Sequence, residues 1–273
     1  MIQNIWEKIY LIDSWIIWKT TTIMAWVHWN EFIWIKVLEK VLEKIKINYG
    51  KVYFVIANLE AIKIDKREFE KNMNRCFLEK NDWKTYEDKR AKKIIKVLEK
   101  SDYLLDLHNT FSKENSVKFL ISEYKDLGDL FDVPYVISWF DELHPWWSDG
   151  FMNNIWKKAV CLESGSLYDI SWEKWLKELV EKSIYNFLKF TWNIDWRIEK
   201  YKNKININFD YIYKNKTNNF NFLKKYKDFE EIQKGEIIAI DWKEKIFSQY
   251  NWYILFARNP NIIGEECFCL GKK

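Results

Sequence analysis

Three histidines, His28, His108 and His144, carry most of the chemistry this chain can perform, and the first two stand near carboxylates at spacings suited to a cation. His28 and Glu31 are three residues apart in Val27-His28-Trp29-Asn30-Glu31. On a first helical turn, side chains at that spacing point the same way. An imidazole and a carboxylate so placed can chelate zinc. His108 closes the apolar run Leu104-Leu105-Asp106-Leu107-His108. Parallel strands present functional groups at their C-terminal ends. Asp106 lies two residues earlier on the same strand face and could orient the imidazole through its other nitrogen. Two imidazoles and one carboxylate leave a fourth position open, the pattern of a catalytic zinc. Spacing alone leaves a second reading: the pair His-x-x-Glu is common, and a strand-end histidine is often a hydrogen-bonded core residue. His144, in Glu142-Leu143-His144-Pro145, reads as a loop residue near the site. Cys267 and Cys269 alternate along a strand, which suits packing better than metal binding.

The elements that must position these groups follow from hydrophobic pattern. Residues 20–27 (TTTIMAWV) read as a buried strand, with His28 just beyond its end. Residues 31–47 space apolar side chains at the helical period and put Glu/Lys pairs on the other face. A strand is expected at 51–57, an irregular polar stretch at 58–82, a helix at 86–99 and a strand at 102–108. Further strands are expected at 117–121, 134–138 and 158–163, a loop at 139–152 and a helix at 171–190. Strand–helix alternation with apolar strands indicates an α/β class with a largely parallel or mixed sheet. Composition shifts near Asn193, and short strands with turn signals follow. We expect a catalytic domain over 1–194 and a small C-terminal β domain over 195–273.

Composition excludes several classes. With 48% hydrophobic and 31% charged residues, the 273-residue chain is neither disordered nor fibrous. No apolar run reaches the ~20 residues of a membrane span. The first residues, MIQNIWEKIYLIDSWIIWKT, are broken by Glu7, Lys8 and Asp13 and lack a small-residue cleavage site. A net charge of +4 argues for neither nucleic acid nor a membrane surface. The four cysteines have no zinc-knuckle spacing, and a reduced, cytoplasmic setting is expected.

Two residue types are out of proportion. Glycine is 7 of 273 residues and tryptophan 17, whereas glycine alone normally takes about 7% of a chain. Many tryptophans sit where turns want glycine: Asp82-Trp83, Asp241-Trp242, Asn251-Trp252 and Trp146-Trp147 after Pro145. The chain is also rich in Lys, Ile and Asn, as an AT-rich gene would encode. Some bacteria read the codon UGA as glycine and others as tryptophan. We expect several of these tryptophans to be glycines in the natural protein.

With glycine for tryptophan, residues 26–34 become GVHGNEFIG. That segment resembles the zinc-binding signature of the succinylglutamate desuccinylase/aspartoacylase family, relatives of the zinc carboxypeptidases. Further segments are similar to the family in the expected order: Asn72-Met73-Asn74-Arg75-Cys76-Phe77, Tyr86-Glu87-Asp88-Lys89-Arg90-Ala91, the run Asp106 to Thr110 (DLHNT), Cys161-Leu162-Glu163-Ser164-Gly165, and the closing stretch from Asn251 to Gly271. The resemblance spans nearly the whole chain and is weakest at 1–18 and 193–228.

The resemblance implies a zinc-carboxypeptidase-like mixed sheet flanked by helices. It implies one Zn²⁺ per chain on His28, Glu31 and His108, with Glu163 as general base and then acid, and Arg67 on the oxyanion. Asn74 and Arg75 would hold a substrate carboxylate, and Asn109 would join the substrate site. The reaction implied is hydrolysis of the amide of an N-acyl amino acid, a small-molecule substrate. In aspartoacylases proper an additional arginine precedes the catalytic glutamate by about ten residues; here that place falls near Asn153, which weakens the case for N-acetylaspartate. Alternatives are a zinc carboxypeptidase acting on peptide C-termini, a metal-free relative, or a non-catalytic binding protein if the tryptophans are genuine. Nucleic acid and membrane partners are not expected, and the chain is compatible with self-association.

Overall fold

The computed structural model describes residues 2–25, 33–78, 82–110, 117–166 and 173–273. Its strands are β1 (Ile2–Trp6), β2 (Ile9–Asp13), β3 (Thr20–Ala25), β4 (Lys51–Ile56), β5 (Tyr103–Thr110), β6 (Phe119–Ser122), β7 (Tyr135–Ser138) and β8 (Lys158–Ser166). Beyond these lie β9 (Ile205–Lys214), β10 (Phe220–Phe222), β11 (Glu230–Ile232), β12 (Ile237–Asp241), β13 (Glu244–Phe247), β14 (Trp252–Leu255) and β15 (Glu266–Lys272). The helices are α1 (Ile33–Lys44), α2 (Leu59–Lys63), α3 (Tyr86–Leu98), α4 (Lys125–Gly128), α5 (Phe140–Leu143), α6 (Ser148–Asn154) and α7 (Glu173–Phe190).

Twelve strands form one mixed sheet in the order β1-β2-β4-β3-β5-β8-β6-β7-β9-β15-β14-β11. The pairs β4/β3, β3/β5 and β5/β8 are parallel, so the ends of β5 and β8 open on the same edge. Alternate residues serve opposite faces. Ile23, Val52, Phe54 and Leu105 pack on one side with Val37, Leu38 and Val41 of α1 and Val180, Ile184 and Phe187 of α7. Met24, Tyr53, Val55 and Leu104 pack on the other with Ala91, Ile94 and Leu98 of α3. Burial on both faces explains why these strands read as continuous apolar runs. The last third continues the main sheet through β9, which runs parallel to β7, and β15, antiparallel to β9. A separate three-stranded sheet, β10-β12-β13, packs Phe220, Ile238 and Ile246 against Phe268 of β15. No helix among the described residues is long and apolar enough to cross a membrane.

The α/β class, the mixed sheet and the C-terminal strands agree with the sequence reading. Three stretches differ from it. Residues 1–18 received no element, yet Ile2–Asp13 form the β1/β2 hairpin, which lies antiparallel on β4. The stretch 58–82, read as irregular, holds α2 and a 3-10 turn at Met73–Arg75. The Asn58 carboxamide caps α2 by accepting from Ala61 N at 3.3 Å. The 139–152 loop holds α5 and α6, each under about two turns and so too short to show a 3.6-residue period.

Candidate active site

His108 and Glu163 face each other across the parallel pair β5/β8, where they are registered partners. Both are nearly enclosed, at 3% and 5% exposure, and both line one cleft of about 810 Å³. The Asp106 carboxylate stands 3.0 Å from His108 Nε2. The Ser148 hydroxyl, at the start of α6, donates to the same oxygen of Asp106. A segment read as loop is therefore a helix that fixes the carboxylate behind the imidazole. The following residue, Asp149, is also buried; burial, then the nearby Asp141 and Asp106 charges, push its carboxyl well above the usual range.

The other expected groups come from the long connection between β4 and α3. Arg67, Asn74 and Arg75 all line the cleft. That connection is held by the buried carboxylate of Glu87, which accepts from Phe69 N at 2.7 Å, Glu70 N at 3.2 Å and Asn58 Nδ2 at 3.3 Å. Arg90, one turn on, donates to the strand-end carbonyls of Ala57 and Ile56, both at 2.8 Å. The Tyr86–Ala91 segment thus supports the site without lining it. Helix α3 itself starts with a capping box between Thr85 and Asp88.

Arg75 donates to Asn74 O at 3.4 Å and lies 3.7 Å from Glu266 Oε2. Burial lowers its pKa from the usual guanidinium value, but an arginine stays charged. Its guanidinium sits 5.6 Å and 5.8 Å from the ring centres of Trp146 and Trp147. Asn109 lines the cleft, while its carboxamide nitrogen donates to Ser164 Oγ at 3.2 Å and Gly165 O at 3.1 Å. Asn153 does not line the cleft; it accepts from Ala159 N at 2.9 Å and donates to Asp141 Oδ2 at 2.6 Å.

Two residues from the last third went unnoticed in the sequence. Glu266, at the start of β15, holds His144 Nε2 at 3.1 Å. Burial opposes its ionisation, but the His144 hydrogen bond and the Arg75 and Lys214 charges outweigh burial and hold its pKa at about 2. Burial keeps His144 below its ordinary pKa, so the neutral ring donates Nε2–H to the carboxylate. Asp228 accepts from Phe256 N at 2.9 Å, and burial raises its pKa to about 6. The signal for Glu266 lay only in the resemblance of the closing stretch. Cationic groups on the cleft wall are Arg67, Arg75, Lys224, Lys225 and Arg258, against Glu163, Asp228 and Glu266. Lys224 is held by Glu230 and Glu236, at 2.9 Å and 3.2 Å. The remaining balance favours an anionic ligand.

His28 and Glu31 lie outside the described residues, and among the described residues no three metal-binding side chains converge. His108 suits a ligand role: with Nε2 turned to Asp106, the ring's other nitrogen is the one to meet a cation, the orientation imposed on ligating histidines by a carboxylate behind them. Cys267 and Cys269 are buried in apolar clusters, and burial raises both thiols above their usual pKa.

Comparison with known proteins converges on one group. Residues 18–190 match the family model for the Succinylglutamate desuccinylase/Aspartoacylase catalytic domain. A probable aspartoacylase from a Nostoc species is 27% identical over 190 residues, which is 62% of this chain and 62% of that protein. One from Trichodesmium erythraeum is 28% identical over 161 residues, 53% of this chain and 55% of that protein. The matched stretch thus spans less than two thirds of either curated relative. Among solved structures, succinylglutamate desuccinylase from Vibrio cholerae superposes with a TM-score of 0.81 at 17% identity, covering 97% of this chain and 85% of that one. The enzyme from Vibrio parahaemolyticus gives 0.79 at 18% identity with the same coverage. The ectoine utilization protein EutE (DoeB) from Ruegeria pomeroyi gives 0.72 at 16% identity, covering 97% and 88%. These structural likenesses establish the shared fold.

Proposed function

This chain belongs to the succinylglutamate desuccinylase/aspartoacylase family, whose members are amide hydrolases, and from that premise we propose that it is a zinc-dependent deacylase of an N-acyl amino acid or a similar small carboxylate-bearing amide. The observation that carries the proposal is the pairing of His108, backed by Asp106, with Glu163 at the cleft edge of β5/β8.

His28, Glu31 and His108 would hold the ion. A zinc ion held there would supply Lewis acidity, making a water at the site easier to deprotonate, with a pKa toward ~7. Glu163 takes a proton from the attacking water as its oxygen adds to the amide carbonyl. The same carboxyl then delivers that proton to the departing nitrogen as the C–N bond breaks, leaving a carboxylate and a free amine. Arg67 donates to the oxygen that becomes negative in the tetrahedral state. Arg75, with Asn74 beside it, grips the substrate carboxylate through the planar guanidinium fork. Asn109, braced against β8, forms part of the substrate wall. Asn153 bonds Asp141 and does not line the cleft, so the place that the family gives to its additional arginine carries no guanidinium here.

The test is hydrolysis by the purified protein of a panel of N-acetyl and N-succinyl amino acids, beside peptides with free C-termini. Release of free amino acid from the acylated panel, lost on chelation and restored by zinc, is the expected result. Cleavage confined to the peptides would make the protein a carboxypeptidase instead, and binding without turnover would make it a non-catalytic relative.

A further inference from the structure

Eleven non-glycine residues of the described chain have a left-handed backbone, and six of them are tryptophans: Trp15, Trp83, Trp139, Trp156, Trp192 and Trp242, with φ between 54° and 64°. That conformation crowds Cβ against the backbone, so bulky side chains avoid it and glycine adopts it freely. Tryptophan makes up 17 of 273 residues, so chance does not put it at over half of these positions.

The local geometry says which residue belongs there. After α6, Trp156 N donates to Asn153 O at 3.1 Å and Lys157 N to Met152 O at 3.0 Å. After α7, Trp192 N donates to Lys189 O at 3.0 Å and Asn193 N to Leu188 O at 2.8 Å. Both pairs of bonds are the Schellman closure of a helix, whose left-handed residue is usually glycine. Trp242 is the first central residue of the two-residue turn between Asp241 and Glu244, a position where a hairpin calls for positive φ. Trp156 is 95% exposed and Trp15 79% exposed.

A second fault marks four other tryptophans. Trp34, Trp146, Trp147 and Trp252 bury their indole N–H groups with no acceptor among the described residues. A buried tryptophan ordinarily finds one.

We propose that the natural protein carries glycine at positions 15, 83, 139, 156, 192 and 242, encoded by UGA codons that its organism reads as glycine, and that the four orphaned indoles belong to the same set. The six assignments rest on backbone conformation and are independent of the enzyme's activity. The consequence for the site lies at Trp146 and Trp147. With glycine there, the two rings now within 5.8 Å of Arg75 are absent, and of these Trp147 lines the cleft.

The gene and the native protein decide it. UGA codons at the six positions, with glycine masses in the corresponding peptides of protein isolated from its own host, are expected. UGG codons there, or UGA codons with tryptophan masses, would overturn the inference. In recombinant protein, the six-fold Trp→Gly variant should unfold at a midpoint higher by at least about 5 °C than the chain as written; an unchanged or lower midpoint would also overturn it. Should the chain as written fail to fold, the codons and peptide masses still give the answer.

Discussion

His108 and Asp106 occupy one face of β5, with the imidazole Nε2 3.0 Å from a carboxylate oxygen that Ser148 also binds. Burial of both residues shields the contact from water. The bond leaves the ring only one orientation, so the carboxylate acts on the site through the histidine. Asp106→Asn should preserve the fold and weaken zinc binding by about 10–100-fold. Competition with a chromophoric chelator would measure it. Wild-type affinity in this variant would remove Asp106 from the site's function.

In the proposed reaction Glu163 moves the proton. Glu163→Gln keeps the size and the hydrogen-bonding capacity but cannot accept the proton from water. The expected loss in kcat is about 10²–10⁴-fold with zinc content and thermal midpoint unchanged. Steady-state kinetics beside metal analysis would check both halves. A variant retaining most of its kcat would assign the base elsewhere in the cleft.

Legibility in the sequence varied with the physics behind each element. β3, β4, β5 and β8 are buried on both faces, so their apolar runs stood out, as did the amphipathic period of α3. His108 could be placed near the C-terminal end of its strand because it closes an apolar run, although β5 continues two residues further, to Thr110. The helices α5 and α6 could not be read, because four and seven residues hold too few turns to repeat a pattern. Glu266 was hidden for another reason. It meets His144 across 122 residues of sequence, a contact set by the pairing of β15 with β9 and invisible to local spacing. The glycine deficit was legible as arithmetic, but only backbone angles separate Trp156 or Trp192 from tryptophans in ordinary conformations.

Glu87 gives a test of how the substrate-facing connection is held. Its buried carboxylate accepts from the backbone at Phe69 and Glu70, midway between Arg67 and Arg75. Removing it in Glu87→Ala strands those donors and frees the segment that carries both arginines. A loss of about 2–3 kcal/mol in folding stability is expected from unsatisfied buried groups, together with a KM increase larger than the fall in kcat. Denaturant melts and kinetics on the same preparation separate the two effects. Unchanged KM would show that the arginines are held by other contacts.

Glu266 sets an acid limit on the fold. Its pKa falls from an ordinary 4.5 to about 2, so the folded state favours the ionised form. A lowered carboxyl pKa adds stability that is complete above the unfolded value and lost as pH falls through the folded one. The contribution is on the order of 3 kcal/mol at neutral pH, fading between about pH 4.5 and pH 2. His144 adds to the same trend: burial lowers its pKa, so the unfolded chain takes up that proton first and stability is also lost as pH falls below the ordinary imidazole range. Glu266→Gln keeps an acceptor for His144 but carries no charge toward Arg75. Its stability should therefore be lower than wild type near pH 7, and the gap should close as the pH approaches 2. Urea melts at several pH values would measure the gap; one that stays constant with pH would mean that Glu266 is not the titrating group.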